Sequence, residues 1–216
     1  MKRIKNQIDL LMVLSLAGVV PALVYYLVED KTIFLGLSWN TFLALLPFYF
    51  AIKATTITHK GFKYFNAFLW LLFLPNAPYI ITDLIHVEIH KDSRGFLIYL
   101  VAVLSFTGLL SWLFSVRLML ARMPGMLHKW KTFTRFSYIL LCLLSGIGVA
   151  MGRFARLNSW EVFYQPKEVL MSTIYMYTDV LPWIITLGIA LILFVVGHLN
   201  IWIKRLVDYR EQSFSF

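Results

Sequence analysis

Four side chains near the middle of the chain stand at helical spacing: Tyr79, Asp83, His86 and His90, at i, i+4, i+7 and i+11. On one α-helix they form a continuous stripe. A carboxylate beside imidazoles has the chemistry of an acid–base pair, which makes Asp83 and His86 candidate catalytic groups. The same residue types suit a divalent metal, with Asp83, His86 and His90 as candidate ligands and a fourth position supplied from elsewhere. The spacing is not H-E-x-x-H and Glu88 lies off the stripe, so solvated loop histidines are the competing reading.

A second group lies at Gly152-Arg153-Phe154-Ala155-Arg156-Leu157-Asn158-Ser159-Trp160-Glu161. Arg153 and Arg156 are three apart and share a face of a helix. A guanidinium is a planar two-pronged donor for phosphate or carboxylate, although a salt bridge to Asp83 or Glu161, or snorkelling to headgroups, would equally occupy one. A third group is Ser38-Trp39-Asn40, where an amide inside an apolar run needs a partner on another helix. Nucleophilic chemistry has little support. Ser159 and Thr82 lack a G-x-S-x-G elbow, and Cys142 sits among leucines, where a thiol is inert. No Walker loop or dinucleotide fingerprint is present, so no cofactor is implied.

The elements that must position these residues are membrane helices. Of 216 residues, 60% are hydrophobic and only 14% charged, with a mean hydropathy of +0.74. Soluble domains carry about 45–50% apolar and about 25% charged residues. Disorder is excluded by the apolar content, and a disulfide scaffold by the single cysteine. Six apolar segments are predicted, near 8–28, 33–52, 62–82, 96–116, 136–152 and 180–203, each long enough to cross a bilayer. The first is too long for a signal peptide and has no A-x-A site, so it reads as a retained helix. The expectation is an all-α, single-domain bundle of about six spans.

Charge gives the orientation. With the N-terminus inside, fourteen of the 20 Lys and Arg residues fall on that side, leaving Lys31, Lys91, Arg94, Arg153, Arg156 and Lys167 outside. Both termini are then cytoplasmic, and the net charge of +9 is a topology signal that needs no nucleic-acid partner. This orientation places all three polar groups at the outer end. Pro75 and Pro78 must break the third span there, because they remove the donors for the carbonyls of Leu71 and Leu74. Asn76 is expected to cap a new helix whose first amides would seek an anion. Gly146, Gly148 and Gly152 leave a smooth surface on the fifth span, with the third span as its natural partner. Arg117 to Arg135 is expected to lie on the headgroups, and Pro166 to start a short interfacial helix.

The stretches Leu37 to Asn40, Phe73 to Tyr79, Thr82 to His86 and Gly152 to Trp160 resemble a bacterial membrane family known as domain of unknown function 1361. The likeness runs from about the first span to the sixth. It implies a bacterial plasma-membrane protein of several spans and assigns no reaction, ligand or catalytic residue. From the residues themselves, Trp39, Asn40, Asn76, Tyr79, Asp83, His86, Arg153, Arg156 and Asn158 are expected to line a pocket for an anionic lipid or small anion. A membrane enzyme using Asp83 and His86, with or without metal, is the second reading. A structural or sensor subunit of a homo-oligomer or membrane complex is the third.

Overall fold

The computed structural model describes residues 2–84, 94–122 and 131–213. Among them the regular structure is helical: α1 (Lys2–Glu29), α2 (Thr32–Thr56), α3 (Lys60–Phe73), α4 (Asn76–Tyr79), α5 (Arg94–Arg122), α6 (Lys131–Ala150), α7 (Pro166–Met176) and α8 (Val180–Ser213). A 3-10 turn, Ile80–Leu84, continues α4, and a π turn, Met151–Ala155, ends α6. Six helical stretches are long and apolar enough to cross a membrane, the third being Lys60–Leu84 with its break inside. Every expected span falls within one of them or its helical continuation. The inner segment differs from expectation: α5 runs on to Arg122, and the Met123-Pro124-Gly125 stretch lies outside the described residues.

α2 is central and packs on α1, α3 and α5, while α8 packs chiefly on α6. Large apolar side chains such as Leu27, Val28 and Leu181 point outward and are mostly exposed, as a lipid-facing surface requires. Without water to drive association, such helices adhere through close packing and interhelical hydrogen bonds. Both devices are present. Ser111 donates to the Ala44 carbonyl at 2.7 Å and Trp112 Nε1 to Ser145 Oγ at 2.9 Å, joining α5 to α2 and α6. Pro21 interrupts α1 and deprives the Ala17 carbonyl of its donor. The Tyr99 hydroxyl of α5 donates to that carbonyl at 3.1 Å.

Glycines set the closest approaches. A Cβ at Gly108 of α5 would overlap the carbonyl oxygen of Ala77 in α4, so the broken span lies directly on the α5 backbone. Gly36 of α2 has open space around its own Cβ position. Gly108→Ala is therefore expected to destabilise the bundle by about 1–3 kcal/mol through overpacking against rigid backbone. Gly36→Ala should leave stability unchanged or raise it, as removing an interior helical glycine is worth about 0.5–1 kcal/mol. Thermal unfolding of the two variants in mild detergent checks this pair; equal midpoints would refute the close approach.

Candidate functional site

The break in the third span builds the site. Pro78 has no N–H, so the Leu74 carbonyl loses its normal α-helical donor. The Ala77 amide turns to it instead, at 3.3 Å. That diversion leaves the Phe73 carbonyl free, and Asn76 Nδ2 donates to it at 3.1 Å. Asn76 is thus a donor bridging the break. It does not cap α4, whose N-cap position is taken by Pro75. The same amide nitrogen donates to Ser159 Oγ at 2.8 Å, tying the break to the chain beyond α6.

Past the break the helix tightens. In a 3-10 turn residues three apart eclipse, so Asp83 falls in line with Ile80 rather than with Tyr79. The expected stripe therefore does not persist: Asp83 is turned into the bundle, 3% exposed, while Tyr79 stays half-buried. Asn40 Nδ2 of α2 donates to Asp83 Oδ2 at 3.1 Å, and Arg153 Nη1 stands 3.6 Å from Oδ1. Arg153 Nη2 also donates to the Thr82 carbonyl at 3.0 Å. One buried carboxylate thus joins the second, third and fifth spans.

The small surface on the fifth span is split between two partners. A Cβ at Gly148 would overlap the Pro75 ring, and one at Gly152 would come within 2.9 Å of the Tyr79 ring. Gly146 faces the other way, against the Thr186 carbonyl of α8. The two arginines also part company. The π turn adds a residue to the last turn of α6, and Arg156 follows in the left-handed region at φ 53°. Arg153 turns inward to Asp83, whereas Arg156 is exposed, and among the described residues no carboxylate pairs with it. A non-glycine residue there is held at a cost of about 1–3 kcal/mol.

Between α3, α6 and the segment after the π turn lies a cavity of about 840 Å³. Trp39, Asn40, Asn76, Tyr79, Arg153, Arg156 and Asn158 line it, while Asp83 sits behind Arg153 and does not. His86 and His90 lie outside the described residues, as does any acid–base or metal set that includes them. Among the described residues no cluster of three His, Cys, Asp or Glu could hold a metal. Asn158 donates to Glu161 Oε1 at 3.0 Å, so that acid is engaged locally. Sequence reasoning passed over Ser159, which was weighed only as a nucleophile. It also passed over the apolar lower wall, which includes Leu72, Leu144 and Ile147. Wall residues of this kind carry no signal distinct from ordinary span residues.

The fold and this site define a multi-pass helical membrane protein. A family model described as protein of unknown function (DUF1361) matches residues 39–196, more than half of the chain, and the protein belongs to that family. No curated protein and no solved structure matches it.

The Asp83–Arg153 pair predicts a non-additive cycle. Arg153→Met alone strands a buried carboxylate and should cost about 3–5 kcal/mol. Adding Asp83→Leu should recover most of that loss, because an apolar replacement of both partners is often neutral. Unfolding midpoints of the wild type, both single variants and the double variant measure the coupling. Additive losses would show that the pair does not interact.

Proposed function

We propose that the cavity lies at the extracytoplasmic end of a bacterial plasma-membrane protein and holds an anionic envelope molecule, a lipid phosphate or small anion, for transport or processing. The observation that carries this reading is Arg156: a guanidinium lining the cavity, unpaired among the described residues, on a left-handed residue where glycine would be unstrained. Backbone strain of this kind persists where the side chain is needed. Arg153 contributes positive potential but is already bound to Asp83 and the Thr82 carbonyl. The orientation rests on the bias of Lys and Arg toward the opposite end of the bundle.

Native mass spectrometry of protein released from its own membranes tests the proposal. The wild type should carry a discrete added mass of an acidic molecule. Arg156→Gly should lose that mass while its unfolding midpoint stays equal or rises, because the left-handed strain is relieved. Arg156→Lys should retain it weakly, since an ammonium keeps the charge but loses the two-pronged geometry. An added mass that survives Arg156→Gly would remove the ligand from this cavity.

A further inference from the structure

The cavity has two chemically different halves. Its upper rim presents donors. Arg156 is unpaired among the described residues, the Tyr79 hydroxyl makes no hydrogen bond with them, and Ser159 accepts from Asn76, which leaves its own proton to donate. Among the described residues no carboxylate lines this rim. Such a set asks for an acceptor-rich anion, and a phosphate meets it with charge-assisted hydrogen bonds.

The lower half is apolar and extends to the outside of the bundle. Phe68 and Leu71 of α3 and Leu144 of α6 all line the cavity and are 48%, 41% and 38% exposed, so this side of it is open rather than sealed by other helices. α6 meets the third span at the α4 turn, where Pro75 lies on Gly148, and below this point the two walls diverge. From Leu144 to Arg153 is nine residues, about 13 Å along a helix at 1.5 Å each. A small hydrated anion uses none of this apolar depth, and a neutral hydrocarbon uses none of the donors.

We infer that the ligand is an amphiphile: a lipid whose phosphate sits among Arg156, Tyr79 and Ser159, while its hydrocarbon chain occupies the cleft between α3 and α6 and enters from the bilayer. This inference rests on the anion-binding reading and narrows it to one class of ligand. Lateral entry suits the geometry, because the chain never leaves an apolar medium while the headgroup slides under the rim.

The test compares three probes on the detergent-solubilised full chain by native mass spectrometry: dioleoyl phosphatidic acid, dioleoylglycerol and glycerol 3-phosphate. Phosphatidic acid should be retained at least about tenfold more tightly than dioleoylglycerol, the loss expected when one charge-assisted contact is removed, and more tightly than glycerol 3-phosphate, which has no hydrocarbon to bury. Arg156→Gly should reduce it to the level of dioleoylglycerol. Leu144→Trp, at an exposed position that tolerates bulk, should block the cleft and weaken phosphatidic acid while leaving glycerol 3-phosphate unchanged. Leu71→Trp blocks the same cleft from the facing wall, should the first variant fold poorly. Equal retention of glycerol 3-phosphate and phosphatidic acid, with no effect of either tryptophan, would overturn the amphiphile and leave the anion reading standing. Equal retention of dioleoylglycerol and phosphatidic acid would overturn both.

Discussion

A bilayer core offers no water to a backbone group that has lost its partner, and this constraint governs the end of the bundle that holds the broken third span. Two prolines three residues apart withdraw two donors from the third span, and the contacts around the break answer the loss at the Leu74 carbonyl. The Ala77 amide shifts to the Leu74 carbonyl, and Asn76 takes the Phe73 carbonyl that the shift exposes. The chain then tightens into a 3-10 turn, whose Thr82 carbonyl is met by Arg153 from another span. A broken helix cannot stand alone in hydrocarbon. It must lie against helices that carry suitable donors and enough free space to approach.

The glycines provide that space. Gly108 admits the Ala77 carbonyl, Gly148 the Pro75 ring and Gly152 the Tyr79 ring, so α4 is clasped between α5 and α6. Close approach then makes the polar contacts short enough to count: Asn40 and Arg153 reach Asp83 from opposite helices. An isolated carboxylate at 3% exposure would be severely desolvated, whereas a paired and hydrogen-bonded one is tolerated. The cluster ties the second, third and fifth spans together at one carboxylate.

Much of this architecture was legible in the sequence. The six spans follow from apolar run lengths, and the break from Pro75 and Pro78. The contact between the third and fifth spans follows from Gly148 and Gly152 at helical spacing. What escaped were local backbone geometries that residue types do not encode. A stripe through Tyr79 and Asp83 assumes 3.6 residues per turn, and the 3-10 turn after Pro78 swings Asp83 out of line with Tyr79. Pairing Arg153 with Arg156 assumes an α-helix to its end, whereas the π turn and the left-handed residue separate them. Asn76 resembled a cap because asparagine often caps; the orphaned carbonyl behind it was the stronger claim on its amide. The expected pocket residues other than Asp83 and His86 nevertheless border one cavity.

That separation of the arginines gives the site its asymmetry. In a low-dielectric setting a guanidinium already bound to a carboxylate and a carbonyl has few donors left, and moving it toward a new anion would uncover Asp83. Arg153 therefore acts as a fixed support whose charge is largely cancelled by its partner. Arg156 lies beyond the π turn, exposed and with no carboxylate partner among the described residues. Glycine would adopt that backbone conformation without the strain, so the arginine is held there at a cost. One end of the cavity presents the donors of Arg156, Tyr79 and Ser159, and the wall beyond it is built from Phe68, Leu71 and Leu144.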